Sequence, residues 1–494
     1  MKSIVLTLCL SVAALIAGAQ NTNAVKEINQ LITPASGLAP LYFLASDDLK
    51  GRSATRPEIN TAASYISEQF RSMGLKQVPG TNDYFQAFDI KMKHPPTSGS
   101  LTINGSTYDL ANKLLPVNGG NISITAPVVY AKHGTEADLN NMDVKGKIVI
   151  TETGTNDSSS FMDGFDMLGT KRKLMQEKGA VALVERFKEG SFPWNGLKQY
   201  LLREMAIKED NSFPVLIVKD DSSTLKNIPG NEEGVLTIQG IQINAIPAKN
   251  VMGWVKGTDP KLKDQFVALT AHYDHLGVAK KPRMEEGKMD SIYNGARDNA
   301  IGVAAVMDAA QYFAKHPPKR SVLFIAYTAE EIGEIGSRYF SEHPAIPLKQ
   351  IVYNINIDNA SYNDTSIITV VGLGRTSADE DIEKAAAAYD LQAKPDPAPE
   401  QDLFDRSDNV NLAVHGIPAP TFSLGIDKFD NEITKRYHQL SDEVGNFNLD
   451  YGLKYIRSFI LAAKNIADNP KQPTWITGDK YETAWKDLYG SSSK

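Results

Sequence analysis

Residues Ser321 to Thr328 form an almost uninterrupted apolar run of strand length, the pattern of a β-strand buried on both faces. Such a strand needs a helix above and below it. The flanking sequence supplies them: predicted strands Phe266 to Thr270, Ile351 to Ile357, Ile367 to Val371 and Thr421 to Ser423 alternate with predicted helices Asn299 to Lys315, Asp379 to Tyr389 and Leu449 to Ile466. The alternation predicts an α/β fold, with a mostly parallel central sheet and helices on both faces. Sheets of this kind place their chemistry at the carboxyl ends of the strands.

Two helix-like stretches, Gly37 to Ala45 and Asn60 to Met73, precede this pattern, and in the second Ala63, Ile66, Phe70 and Met73 recur at helical spacing. From about residue 97 to 245 the chain changes to short β-like runs such as Ala126 to Val129, Lys147 to Ile150 and Val215 to Val218, with one helix-like segment at Lys171 to Lys178. A small β-rich domain, 97–245, is therefore expected as an insert between an N-terminal part, 20–96, and the main part, 246–494. Residues 1–19 read as a secretory signal peptide, with Lys2, an apolar run from Ile4 to Ala17 and the small-x-small site Ala17-Gly18-Ala19. An exported protein, periplasmic or extracellular, is expected. No later run reaches the roughly 20 apolar residues of a membrane span. The only cysteine, Cys9, lies inside the signal, so the mature chain has no thiol to offer a metal, a disulfide or a substrate. Lys+Arg number 52 against 59 Asp+Glu, with no long basic run, and the charge pattern that phosphate-backbone binding requires is absent. Nucleic acid is excluded as a partner.

Five of the eight histidines, His94, His133, His316, His343 and His415, sit beside proline or glycine and read as surface or turn residues. The other three are His272, His275 and His438. His272 and Asp274 emerge together from the strand ending at Thr270. Two apart on an extended chain, they point the same way; a carboxylate so placed can orient a metal-binding imidazole. Asp298 precedes a helix, where it or Asn299 could equally be an N-cap. Glu330 and Glu331 follow the buried strand, and two like charges there are costly unless a cation neutralises them. Asp358 ends another strand, and His438 lies in a polar loop before the last helix. Two histidines and three carboxylates form an N/O donor set that suits paired Zn²⁺ ions, with one carboxylate bridging and another beside it as proton-transfer base.

Ala271-His272-Tyr-Asp274, Asp298-Asn-Ala, Ala-Glu330-Glu331-Ile-Gly, Asn356-Ile-Asp358 and Tyr437-His438-Gln resemble, in order and spacing, the motifs of peptidase family M28. These are the co-catalytic zinc aminopeptidases and their glutamate carboxypeptidase and glutaminyl cyclase relatives. Residues 41–89 look like that family's N-terminal segment, and the insert resembles its protease-associated domain. The resemblance implies two Zn²⁺ ions, one held by His272 and Asp358, the other by Glu331 and His438, with Asp298 as bridge. It also implies Glu330 as general base and Asp274 as the carboxylate orienting His272. Arg297, Ile301 and Asn359 depart from the family pattern and are expected to reshape the substrate site. Arg297, Arg406 and Arg436 are candidates for binding a substrate carboxylate, and Tyr437 for stabilising an oxyanion. The implied activity is a secreted zinc exopeptidase acting on peptides, an aminopeptidase working through a metal-bridging hydroxide. The alternatives are a glutamate carboxypeptidase-like enzyme and a non-catalytic receptor-like binding protein. Cyclase chemistry would call for a single-metal site. No His-Glu-x-x-His or Gly-x-Ser-x-Gly occurs. The residues specify no oligomeric state.

Overall fold

The computed structural model describes residues 22–156, 161–188, 193–207, 212–228, 232–285 and 287–490; the predicted signal segment, 1–19, lies outside them. The chain divides into two compact units, one built from residues up to Asp89 and from Pro247 onward, the other Ile90–Ile246. The first boundary falls at Ile90 rather than residue 97, inside a strand, Phe85–Lys93, whose buried positions Phe88, Ile90 and Met92 alternate.

The elements that position the site in the first unit are helix α1 (Ile59–Ser72), strands β1 (Ile243–Val255) and β2 (Phe266–His272), helix α2 (Ile301–Lys315), strand β3 (Ser321–Tyr327), helix α3 (Ile335–Glu342), strands β4 (Ile351–Ile357) and β5 (Ile367–Val371), helix α4 (Asp379–Ala387), strand β6 (Thr421–Leu424) and helix α5 (Leu449–Asp468). Their order across the sheet is β5–β6–β4–β2–β3–β1. The four central strands are parallel, while β5 and β1 pair antiparallel on either side. Every residue of β2, β3 and β4 is buried, which is why these segments read as continuous apolar runs rather than alternating ones. Ile66 and Phe70 of α1, Val306 and Phe313 of α2, Ile382 of α4, and Ile456 and Phe459 of α5 pack in one cluster with Val267, Leu269 and Ile355. Phe340 of α3, with Leu412 and Trp475, packs with Leu323 and Ile325 in a second. Each large side chain so removed from water contributes roughly 1.5–3 kcal/mol.

Register sets the site. Phe266 lies opposite Ser321 and His272 opposite Tyr327, and on the other side of β2 Ala271 lies opposite Ile357. Three strands thus end level, and His272 at the end of β2 meets Glu330, Glu331 and Asp358 just beyond β3 and β4 at one edge. Helix α2 starts at Ile301, and its N-cap, Ala300, makes no side-chain cap. The capping role open to Asp298 or Asn299 is not taken up; Asn299 Nδ2 donates to the Ile357 carbonyl at 2.7 Å. A Cβ on Gly302 would lie 2.2 Å from Asn299 Oδ1 and 2.7 Å from Ile357 Cγ2, so glycine is what lets the helix approach the strand end this closely.

The second unit carries an eight-stranded sheet. Ser98–Ile103, Glu233–Gln239 and Ile122–Tyr130 pair antiparallel, and the sheet then continues in parallel through Ile148–Glu152, Ala182–Phe187 and Val215–Lys219. The predicted helix Lys171 to Lys178 is the end of a longer one, Phe161–Glu177. Lys171 Nζ reaches Glu185 Oε1 at 2.7 Å, both side chains are buried, and Thr151 Oγ1 donates to the same oxygen at 2.8 Å. Burial pushes the Glu185 carboxyl up to about 7 against the pull of Lys171. Removing one partner of a buried pair strands the other charge, whereas removing both does not. Lys171→Met should cost about 3–5 kcal/mol of stability, and Lys171→Met with Glu185→Leu should recover most of it. Urea unfolding of the two variants measures the difference; equal losses in both would refute the argument.

Candidate metal centre

Two lobes of donor atoms share Asp298. In one, His272 Nε2 lies 3.3 Å from Asp298 Oδ1 and 3.4 Å from Asp358 Oδ1. In the other, His438 Nε2 lies 3.1 Å from Asp298 Oδ2 and 3.2 Å from Glu331 Oε2. Ligands at 2.0–2.2 Å from one tetrahedral zinc are separated by about 3.3–3.6 Å, close to these four distances. All five residues predicted as ligands are therefore brought together, with Asp298 facing both lobes. Asp298 Oδ1 is buried with no hydrogen-bond partner, the condition of an acceptor that awaits a cation.

Charge makes the same point. Asp274, Asp298, Glu330, Glu331, Asp358, Asp408 and Asp442 surround the site, and the guanidinium groups of Arg52 and Arg297 are the fixed cations among them. Seven carboxyl groups against two guanidinium groups leave a deficit that two divalent cations would largely cancel. Without them the groups strain against one another. Burial pushes Glu330 far up, opposed by His272 and reinforced by Asp358 and Glu331. Burial and the Asp298 charge also push at Glu331, yet the His275 and His438 imidazoles hold it at about 2. Burial pulls His438 down, but its hydrogen bonds to Asp298 and Glu331 outweigh that and hold it at about 10. The residues fit a pair of hard-to-borderline divalent ions, and zinc suits the donor set.

Local backbone explains the aim of these groups. Ala329, between β3 and the glutamates, and His438 both have left-handed φ, +61° and +57°, a conformation that costs non-glycine residues roughly 1–2 kcal/mol. At Ala329 it turns the chain as it leaves β3. Asp442 holds the Asp298 turn: its carboxylate accepts the Arg297 N–H at 3.0 Å and the Asp298 N–H at 3.1 Å. Arg52 fixes the adjoining turns. Its buried guanidinium donates to the carbonyls of Tyr273 at 3.0 Å, Asn294 at 2.6 Å, Gly295 at 3.1 Å and also Leu44, and its own carbonyl accepts the His275 N–H at 3.1 Å. Burial lowers this guanidinium to about 10, with Asp298 and Asp442 opposing the fall. It stays charged at neutral pH.

Several predicted roles change on contact with the geometry. The Asp274 carboxylate is 3.9 Å from His272 Nδ1, whereas the Asp274 backbone carbonyl is at 3.2 Å. The closer partner of the imidazole is thus the main chain, and the carboxylate instead accepts the Glu330 N–H at 3.1 Å. Arg297 is not presented to a substrate. Its Nη1 donates to Asp442 at 2.8 Å, and the guanidinium lies over Tyr362 and Phe447 at 5.2 and 5.1 Å. Ile301 belongs to the core. Asn359 is buried too, donating to Asn299 and accepting from Leu424 N and Tyr455 Oη. None of these three departures reaches the substrate site. Arg436 donates to the Ser441 carbonyl.

Tyr437 and Arg406 do face open space. Both line a cavity of about 220 Å³ that borders Asp358, with Val371, Leu403, Ile426 and Phe429 among its apolar walls. The Tyr437 ring stacks on His438 at 4.0 Å, and burial raises its hydroxyl, which keeps it a neutral donor. Two residues escaped the sequence reading. His275 Nδ1 lies 2.6 Å from Glu331 Oε1; the His-x-x-His spacing of His272 and His275 was the available signal. Asp408, buried in a loop and pushed up to about 8 despite the nearby His272, gave none.

Residues 250–460 match peptidase family M28. Aminopeptidase YwaD of Bacillus subtilis is 26% identical over 238 residues, 48% of this chain and 44% of that protein, so the chain matches less than half of the relative's length. The probable leucine aminopeptidase 2 of Aspergillus oryzae is 25% identical over 444 residues, 83% of this chain and 80% of that protein. An aminopeptidase from Aneurinibacillus sp. strain AM-1 has the same fold, with a TM-score of 0.57 and 20% identity over 91% of this chain and 97% of its own.

Metal-stripped protein should take up about two zinc equivalents. Because His438 holds its proton to about pH 10 in the metal-free site, and an imidazole must be neutral to ligate, uptake at pH 7–8 should release protons, and affinity should rise with pH. Calorimetric titration in buffers of different ionisation enthalpy measures both; pH-independent uptake of one ion would contradict them.

Proposed function

With residues 250–460 taken as a peptidase family M28 domain, we propose that this protein is a zinc exopeptidase that removes N-terminal residues from peptides. The observation that carries this reading is the two-lobed donor set sharing Asp298, with a further carboxylate, Glu330, beside it and outside both lobes. Paired zinc ions, when bound, supply an ionised water at neutral pH and polarise the scissile carbonyl. The chain's own residues do the rest. Glu330, beside His272 and Asp358, takes the proton of the attacking water and passes it to the departing amine. Its backbone is held by Asp274, which fixes where the carboxyl can reach. Tyr437, as a neutral hydroxyl on the cavity wall, donates to the oxygen that gains charge.

Direction of attack follows from the wall charges. Asp298, Glu330 and Asp358 give a free ammonium group several partners, and Arg297 is consumed by Asp442, which removes the most deeply placed candidate for gripping a C-terminal carboxylate. The cavity beside Asp358 then takes the side chain of the terminal residue. One observation favours the carboxypeptidase alternative: Arg406 is exposed on that cavity, where it could meet a substrate carboxylate. A non-catalytic role would not call for all five donors and Glu330 together. We further propose that residues 1–19 direct the chain out of the cytoplasm, and that residues 90–246 act as a protease-associated type of accessory unit.

Chelation should abolish activity. Glu330→Gln should leave zinc content near normal while kcat falls about 10²–10⁴-fold; parallel loss of zinc and kcat would make Glu330 a ligand instead. A panel of aminoacyl chromogenic substrates, set beside N-acetylated peptides with varied C-termini, decides direction. Cleavage of the free-amine set alone is expected. C-terminal release from the blocked set, lost in Arg406→Ala, would establish the carboxypeptidase reading.

A further inference from the structure

His275 lies against the second lobe, its Nδ1 3.9 Å from Asp298 Oδ2, and with Asp298 and Glu331 it is close enough to be a ligand candidate itself. Four donor pairs in the lobes are 3.1–3.4 Å apart, whereas His275 Nδ1 and Glu331 Oε1 are 2.6 Å apart. Two atoms bound to one zinc at 2.0–2.2 Å with that separation would subtend less than about 80°, far from a tetrahedral angle. The same distance is right for a charge-assisted N–H···O bond. That spacing favours a hydrogen bond to Glu331 Oε1 over joint ligation of one ion with that oxygen.

The imidazole is tightly enclosed, with its Nε2 buried and without a hydrogen-bond partner among the described residues. Its side chain is fully buried, and its backbone N–H is held by the Arg52 carbonyl. A Cβ on Gly295, a left-handed residue, would lie 2.5 Å from the ring's Cδ2, so the ring rests directly on main chain. The ring stands 5.9 Å from that of His438, edge-on at 63°.

We propose that His275 is a positioning residue: by occupying Glu331 Oε1 it presents Oε2 toward His438, and so sets the metal affinity of the Asp298–Glu331–His438 lobe without being a ligand. This rests on the two-metal reading above. Partners of this kind typically change metal affinity by 10–100-fold.

The test is competition titration of the metal-stripped full-length protein with Zn²⁺ against a chromophoric chelator, and with Co²⁺ for its ligand-field spectrum. His275→Ala should weaken one of the two sites 10–100-fold and leave the other within about threefold. His275→Asn places an amide nitrogen where Nδ1 was and should recover most of the loss; His275→Gln, one bond longer, should not. If Ala unfolds the chain by circular dichroism, the contrast between Asn and Gln decides alone. Wild-type affinity at both sites in His275→Ala, or in both Asn and Gln, would overturn the proposal. So would an Asn variant as weak as Ala with one nitrogen ligand lost from the Co²⁺ spectrum, the mark of direct ligation. Wild-type protein that binds fewer than two ions would defeat the two-metal reading itself, whatever the variants do.

Discussion

The guanidinium of Arg52 is the charge on which the site's geometry turns. A buried cation needs its donors satisfied, and this one spends them on the carbonyls of three separate stretches, at Leu44, at Tyr273 and at Asn294 and Gly295. The second stretch lies between His272 and His275; the third leads into Asp298. One side chain from near the start of the first unit thereby sets the spacing between strand end and helix start, which is the spacing of the two lobes. The carboxylates around it keep it charged, so attraction runs both ways: the acidic site stabilises its own scaffold.

The sheet contributes a different kind of order. Level strand ends bring His272 and Asp358 to one edge by register, and Glu331 joins them through the left-handed turn at Ala329, whereas Asp298 and His438 arrive on turns. Turns need anchoring, and each has it. Asp442 holds the first through main-chain N–H groups, and His438 is followed closely by that same Asp442 in sequence. Asp298 and His438 are therefore tied to one short segment, so the two lobes are not independently adjustable.

Much of this was legible in the sequence, and the reasons are physical. Strands buried on both faces must be apolar throughout, so β2, β3 and β4 stood out; polar residues at or just beyond the ends of such strands are conspicuous, so His272, Glu330, Glu331 and Asp358 stood out with them, whereas Asp298 and His438 were marked by their local motifs. What the sequence concealed was pairing across distance. Arg297 looked available because its partner, Asp442, is 145 residues away. Asn359 looked like a substrate-facing change because its bonds to Asn299, Leu424 and Tyr455 are all made by folding. His275 was given no role because its partner, Glu331, lies 56 residues on. The register of the second unit was hidden for a similar reason: short β-like runs do not reveal that half of them pair in parallel, with a buried Lys171–Glu185 contact beneath.

The Asp442 carboxylate closes the bridging turn using only protein groups, two main-chain N–H donors and Arg297. A turn fastened in this way does not depend on the ions it serves. On the two-metal reading proposed above, this turn can be in place before the ions arrive. On that reading, the working fraction of the protein follows the free zinc around it as well as the amount of protein made.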